Sequence, residues 1–171
     1  MWNCIHIFAN LRTLITTFMS GRSYSKIYIH TIWHIKSHAV EIKPEHREGL
    51  YANIATTLKE MECIPISING TGNHVHVLMV LSKNYALKDI IARIKRTTSY
   101  WMKNLEPYYS GFVWQSGYSA FSVSQSVVDT TRAYINNQEE HHKRMSFEQE
   151  LKRFLDLYGV NYDPKYLFSY D

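Results

Sequence analysis

Two histidines separated by one residue lie in an apolar stretch of the chain. The segment Asn73-His-Val-His-Val-Leu-Met-Val80 is nearly all apolar around them, which is typical of a central strand buried on both faces. Because side chains alternate along a strand, His74 and His76 would point to the same face. Two imidazoles placed in this way can hold one divalent metal ion. The chain has nine histidines, so chance can produce such a pair, and the rest of the sequence must support the assignment.

The composition is that of an ordinary globular protein. A chain of 171 residues can form one domain with a substantial core, and a hydrophobic content of 45% with 20% charged residues excludes a disordered chain. The net charge of +4 is compatible with a polyanionic partner but does not require one. Cys4 and Cys63 have neither metal-site nor disulfide spacing, so we expect a reducing, cytoplasmic location.

The first twenty residues differ from those that follow. Residues 1–19 are fairly apolar, but polar side chains interrupt them and Arg12 lies near the middle. The segment therefore lacks the basic start and continuous apolar core of a signal peptide, and it does not predict a membrane helix. We expect residues 1–20 to be an accessory N-terminal extension and residues 21–171 to form a single domain.

The spacing of apolar residues predicts the element order β-α-β-β-α-β. The predicted elements are a strand over Ser25–Lys36, a helix over Glu45–Glu62, a strand over Ile64–Asn69, the histidine strand, a helix over Tyr85–Leu105 and a strand over Tyr118–Val123. This α+β order is ferredoxin-like, with a four-stranded antiparallel sheet and two helices on one face. The signal Ser126-Val-Val-Asp129 starts a further helix at about residues 125–142, and another helix follows over Phe147–Tyr158.

The second predicted helix carries basic side chains opposite its apolar stripe. From Lys83 to Lys103 the chain has six basic residues and one acidic residue, a local excess of +5. Lys and Arg on a regular element can contact the phosphates of nucleic acid, although a solvated helix face has the same pattern. The candidate DNA-binding residues are Lys88, Arg93, Lys95, Arg96 and Lys103.

Two motifs, taken together, resemble those of a known family. The segment Asn73-His-Val-His-Val-Leu78 resembles the histidine–hydrophobic–histidine motif of HUH-superfamily nucleases. The segment Tyr134-Ile-Asn-Asn-Gln138 resembles the tyrosine helix of their single-tyrosine transposases, which move small bacterial insertion sequences as single-stranded DNA. Tyr134 and Gln138 are four residues apart and would share one helix face. The resemblance extends from about Tyr24 to Tyr166.

The resemblance implies a chemical role for each of these residues. Tyr134 would attack the scissile phosphate and form a 5′-phosphotyrosine, so that strand joining needs no ATP. His74 and His76 would hold Mg²⁺ or Mn²⁺, with the side-chain carbonyl oxygen of Gln138 as third ligand. The implied partners are single-stranded DNA with hairpin ends and a second copy of the chain, whose histidines would meet the tyrosine helix of the first. Neither a membrane nor a small-molecule cofactor is expected.

Several neighbouring residues need separate interpretation. Asn73 stands where many relatives have an acid, a change that would weaken a metal site unless the amide forms hydrogen bonds instead. His141 and His142 follow Gln138 closely, and we expect both at the surface, at a helix C-terminus where positive charge is favourable. His34 on the first strand is expected to be structural.

Three other functions are compatible with parts of this pattern. A domesticated relative would process repeated palindromes by the same chemistry. A non-catalytic single-strand-binding module would share the sheet topology, but here the middle strand carries histidines in place of stacking aromatic residues. A metallohydrolase would need a further ligand soon after the histidine pair, whereas Val77–Val80 is purely apolar.

Overall fold

The structure, a computed structural model, describes residues 24–168 and has the predicted α+β fold. Its strands are Tyr28–His34 (β1), Ile64–Gly70 (β2), His74–Val80 (β3) and Ser119–Val123 (β4). Its helices are Pro44–Glu60 (α1), Leu87–Leu105 (α2), Val128–Asn136 (α3), Gln138–His142 (α4), Phe147–Leu157 (α5) and Pro164–Leu167 (α6), with 3₁₀ turns at Pro107–Gly111 and Gln125–Val127. The predicted order β-α-β-β-α-β is confirmed. The expected N-terminal extension, residues 1–20, lies outside the described residues.

The four strands form one antiparallel sheet in the order β2-β3-β1-β4. This is the strand order of the ferredoxin-like arrangement, and it makes the histidine strand β3 a central strand. Its residues His74 to Met79 are all buried. Ladder hydrogen bonds on both sides of β3 fix the directions of its side chains, so that His74 and His76 point to one face and Val75 and Val77 to the other.

Helices α1 and α2 cover one face of the sheet and form the main core with it. Trp33, Val75 and Met79 from the strands pack here. The predicted stripe of α2 is buried through Ile90, Ile91, Ile94 and Met102. None of the helices within residues 24–168 is both long and apolar enough to cross a membrane.

The opposite face of the sheet is covered by α3, α4 and α5. Ile32 and Phe121 from the strands pack against Leu151 and Leu155 of α5, while Leu78 packs near α3. The helix predicted at about residues 125–142 is interrupted: α3 ends at Asn136, Asn137 is the turn, and α4 begins at Gln138. This turn thus separates the tyrosine from the two adjacent histidines along the chain.

Local signals in the sequence fix the position of α5. The Ser146 side chain accepts a hydrogen bond from the backbone N–H of Gln149, and the Gln149 side chain accepts one from the backbone N–H of Ser146, which forms a capping box. At the other end, Gly159 has a φ of +62°, which is a conformation that glycine adopts at low cost and that ends the helix as predicted. These two caps set the turn of α5 from which Glu150 projects.

Gly70 lies where β2 turns into the histidine strand, and it generates the first prediction. A Cβ atom at this position would lie 2.1 Å from the carbonyl oxygen of His74 and 2.9 Å from Cα of Val75. Gly70→Ala must therefore displace the backbone at His74, one of the two candidate metal ligands on β3. We expect a loss of about 1–3 kcal/mol in the free energy of unfolding, measured by urea denaturation.

The matched control for this prediction is Gly111→Ala. A Cβ atom at Gly111 would meet nothing within 4 Å, so the free energy of unfolding should change by no more than about 0.5 kcal/mol. Equal unfolding free energies for the two variants would contradict the close approach at Gly70.

Candidate active site

The candidate active site lies on the sheet face that α3, α4 and α5 cover. The residues that meet there are His74 and His76 from β3, Tyr134 from α3, Gln138 and His142 from α4, and Glu150 from α5. Both strand histidines, Gln138 and Glu150 are buried. One chain therefore brings together all four residues that the sequence singled out for nucleophile and metal.

Ligand-type atoms of four residues converge on one point. One atom each from His74, His76, His142 and Glu150 lies within 4.8 Å of all the others. The two Nε2 atoms of His142 and His74 are 3.1 Å apart, and Oε2 of Glu150 is 3.2 Å from Nε2 of His142 and 3.3 Å from Nε2 of His76. Ligands bound at about 2.1 Å to a common ion are themselves about 3–3.5 Å apart, so this spacing fits one divalent metal ion.

Hydrogen bonds on the far side of two imidazoles aim their Nε2 atoms at this point. Nδ1 of His74 is 2.7 Å from Oδ1 of Asn73, and Nδ1 of His142 is 2.9 Å from the carbonyl oxygen of Met145. Both partners are acceptors, so each Nδ1 carries a proton and the neutral ring presents an Nε2 lone pair to the site. Asn73 thus orients His74 through its amide oxygen.

His76 and Glu150 each contribute a buried atom without a hydrogen bond. Nδ1 of His76 lies 3.0 Å from Nε2 of His30, which can accept its proton, and burial lowers the pKa of His30 to about 3. Nε2 of His76 and Oε2 of Glu150 are buried and form no hydrogen bond. An unsatisfied buried polar atom costs about 1–3 kcal/mol, and a charged one more. A cation between these two atoms would satisfy both.

The charges of the site also suit a cation. Burial would raise the pKa of the Glu150 carboxyl, but His142, His76 and Tyr134 around it lower that pKa well below its usual range, so the carboxylate is ionised. Burial lowers the pKa of His142, but Glu150 and the carbonyl oxygen of Met145 together raise it above its ordinary value. A proton and a metal ion would therefore compete for Nε2 of His142. Burial and His76 hold the pKa of His74 well below its ordinary value, which leaves a neutral ligand.

Tyr134 is hydrogen-bonded to the carboxylate of Glu150. Its hydroxyl donates a hydrogen bond to Oε1 of Glu150 and lies 3.2 Å from Nε2 of His141, and its ring centre is 6.2 Å from that of His76. Burial first, and then Glu150, raise the pKa of the phenol above its ordinary range, so it keeps its proton in this arrangement. Glu150 thus contacts the phenol with one oxygen and faces the converging imidazoles with the other.

Gln138 lies between the strand histidines and Glu150. Its Oε1 is 3.3 Å from Nε2 of His74, and its Nε2 donates to Oε1 of Glu150 at 3.1 Å. Because Nε2 of the neutral His74 ring presents a lone pair, two acceptor atoms face each other here. This geometry is compatible with the predicted ligand role, which stays a prediction.

His141 and His142 lie in the last turn of α4, at a helix C-terminus as expected, but both are partly buried. His142 is one of the four converging residues, so for this residue the expected surface position is wrong. The sequence did contain a signal for His142, because it follows Gln138 by four residues and so shares its helix face. Glu150 was missed altogether, since its place in the site depends on how a separate helix packs. His34 has the structural environment that we expected, with ring centres 5.3 Å from Phe147 and 5.9 Å from Phe168.

The candidate DNA-binding residues of α2 lie on the other face of the sheet. The exposed ones are Lys88, Arg93, Arg96 and Lys103. Lys95 is half-buried, and its ammonium group donates hydrogen bonds to the carbonyl oxygens of Gln115, at 2.8 Å, and of Gly117. Burial lowers the pKa of Lys95 to about 8. Lys95 therefore fixes the loop before β4, whereas the other four side chains face solvent.

A comparison of two adjacent histidines tests the metal centre. His142→Ala removes a converging Nε2 atom, so we expect Mn²⁺ binding to weaken at least about tenfold in isothermal titration calorimetry. His141→Ala is the matched control, because His141 lies beside Tyr134 and outside the converging set, and it should bind Mn²⁺ as the wild type does. Unchanged affinity in His142→Ala would show that His142 is not a ligand.

The chain is similar to known transposases in sequence and in fold. Residues 23–138 match the family model of IS200-like transposases. A candidate transposase from Deinococcus radiodurans R1 has a similar structure, with 22% identity and a TM-score of 0.54 over 70% of this chain and 96% of that one. A REP-associated tyrosine transposase bound to a REP hairpin has 12% identity and a TM-score of 0.55 over 88% and 92%. At such identities the likeness is one of fold. No curated protein matches the sequence significantly.

Proposed function

The chain belongs to the IS200-like transposase family, and on that premise we propose that it is a metal-dependent endonuclease and strand transferase acting on single-stranded DNA. One observation carries the proposal. The Glu150 carboxylate binds the hydroxyl of Tyr134 with one oxygen, and its other oxygen is 3.2–3.3 Å from the imidazoles of His142 and His76. A phosphate placed between the phenol and these imidazoles would have a nucleophile on one side and a metal site on the other.

Tyr134 supplies the covalent chemistry in this proposal. The phenol oxygen forms a bond to the scissile phosphorus while the bond from phosphorus to the 3′ oxygen breaks. The phenol loses its proton and the released 3′ oxygen gains one, which gives a 5′-phosphotyrosine and a free 3′-hydroxyl. The number of phosphoester bonds is unchanged, so a second strand end can reverse the reaction without ATP. Glu150 holds the phenol in place for the attack.

The metal would be held by His74, His76, His142 and Glu150, with the Gln138 carbonyl oxygen close by. A bound divalent ion would polarise the phosphate and offset its developing negative charge. Three imidazoles suit transition metals better than they suit Mg²⁺. Of the two ions expected from the sequence, Mn²⁺ therefore fits this donor set better.

The proposed substrate is DNA with a hairpin next to a single strand. A relative of similar fold is described as bound to a REP hairpin, and this chain has exposed basic side chains along α2. We assign the hairpin phosphates to Lys88, Arg93, Arg96 and Lys103, with a smaller part for Lys95, whose donors are already used. The single strand would then run past the sheet to Tyr134 on the opposite face.

A trapped adduct tests the nucleophile. The protein is incubated with labelled single-stranded hairpin DNA and Mn²⁺, and a denaturation-resistant protein–DNA adduct is measured. Tyr134→Phe should reduce adduct formation at least about a thousandfold, because the attacking oxygen is gone, and should leave the Kd for DNA nearly unchanged. Addition of a chelator should abolish the adduct of the wild type.

The control variant for this assay is Tyr100→Phe. Tyr100 is 73% exposed on α2, and the change keeps its ring while it removes a hydroxyl, so the adduct should form normally. An adduct that persists in Tyr134→Phe would refute the nucleophile assignment. An adduct that survives chelation would refute the metal role of the histidines.

The site also predicts how subunits behave when they are mixed. The resemblance implies a homodimer with composite sites, but here one chain contains both Tyr134 and the candidate ligands, so we propose that each chain acts with its own tyrosine. An equimolar mixture of Tyr134→Phe and His76→Ala should then give no adduct, whereas composite sites would restore it. Adduct formation in the mixture, with neither variant active alone, would establish sharing between subunits.

A further inference from the structure

A cavity of about 470 Å³ opens beside the hydroxyl of Tyr134. One wall is formed by Phe154, Leu157 and Tyr158 at the end of α5, and the facing wall includes Thr131 of α3. Leu157 is 75% exposed and Tyr158 is 43% exposed, so apolar surface faces solvent at this point. The volume lies within the range of about 300–1,000 Å³ that is usual for sites of small organic ligands.

Contacts between rings position the aromatic wall. The Phe154 ring stacks on Phe121 with centres 5.4 Å apart and an interplanar angle of 21°, and it meets the Tyr134 ring edge-on at 5.7 Å. The ring of Tyr158 packs on Phe121 at 4.6 Å, and its hydroxyl donates to the carbonyl oxygen of Ser122 at 3.3 Å. Flat aromatic groups held in this way can stack on a nucleobase with little loss of side-chain entropy.

The position of Tyr134 requires that DNA enters this region. Attack needs the phosphorus within about 3–3.5 Å of the phenol oxygen. That oxygen is hydrogen-bonded to Glu150, which is buried at the base of the cavity, so the phosphorus has to come into the cavity. A phosphodiester can reach it only if a nucleotide that it joins enters as well. An entering base must leave its stack, and the apolar wall would replace the lost stacking. Arg153, exposed on the same wall, places a positive charge beside the phosphate.

We propose, on the basis of the function proposed above, that this cavity binds the nucleobase of a nucleotide adjacent to the scissile phosphate. The base stacks on the aromatic wall, and Leu157 covers its edge at the mouth of the cavity. Because the wall is mainly apolar, the site selects a flat ring by shape and stacking more than by hydrogen-bond pattern.

Methionine methyl signals test the site without any cleavage. The full chain is labelled with [methyl-¹³C]methionine and titrated with thymidine 5′-monophosphate. Met145 lines the cavity, whereas Met79 and Met102 are buried in the core on the other sheet face and act as internal references. We expect a saturable shift of the Met145 signal alone, and no shift with 2-deoxyribose 5-phosphate, which lacks the base.

Paired variants sharpen this test. Leu157→Glu places a negative charge at the cavity mouth on an exposed position, and it should weaken nucleotide binding at least about fivefold. Val160→Glu makes the same kind of change at an exposed position outside the cavity wall and should bind as the wild type does. Equal binding by both variants would overturn the assignment.

Other results would also overturn it. A Met145 shift that is equally large with 2-deoxyribose 5-phosphate would indicate phosphate binding without base binding. A shift that depends on protein concentration in the absence of nucleotide would indicate that a second copy fills the cavity.

The adduct assay separates this inference from the proposed function. In an oligonucleotide that forms the adduct, an abasic residue on one side of the scissile phosphate should slow adduct formation about tenfold. If no hairpin DNA forms an adduct, the proposed function fails, while the Met145 titration still decides whether a base binds. If abasic residues on either side leave the rate unchanged and Met145 does not shift, the base site fails while the proposed function stands.

Discussion

The buried carboxylate of Glu150 is the interaction on which the rest of the site depends. It is only 1% exposed, and an ionised group in that position is costly unless hydrogen bonds and opposite charge compensate it. Glu150 lies on α5, and the other two covering helices supply part of the compensation: α3 the hydroxyl of Tyr134, and α4 the amide of Gln138 and the imidazole of His142. The packing of three short helices on the sheet is therefore tied to a single charge.

This charge also connects the proposed nucleophile with the imidazoles of the proposed metal site. Since Oε1 is occupied by Tyr134 and Gln138, only Oε2 can face the strand histidines. The backbone of β3 is held by ladders on both sides, so the histidines cannot move to meet a displaced ligand. Small shifts of α5 would thus change the position of the phenol and of the proposed ligand set together, so the caps of that helix would affect the proposed chemistry as well as stability.

The sequence predicted the parts of the site that local periodicity controls. The alternation of β3 gave the shared direction of His74 and His76. Tyr134 and Gln138 lie on two helices separated at Asn137, and not on one helix face as predicted, but both side chains bind Oε1 of Glu150. The sequence could not give contacts between distant segments. His142 is 68 residues from His74 in the sequence, and the contact between them depends on the turn at Asn137. The sequence does not indicate this turn, because its helical pattern continues through Asn137. For the same reason, Lys95 was grouped with the basic face, although the loop before β4 binds its ammonium group.

Helix α5 shows how one short element serves both the fold and the site. Leu151 and Leu155 face the sheet and join its core. A second stripe, at the spacing of three and four residues that places side chains on one helix face, carries Glu150, Arg153, Phe154 and Leu157 toward Tyr134. The core explains the first stripe completely, but it does not explain Leu157, which remains 75% exposed and is not among the core residues. An apolar side chain held at the mouth of an aromatic cavity, two helical turns from the carboxylate that binds the phenol, is explained if a flat, uncharged ring has to lie beside the reacting phosphate.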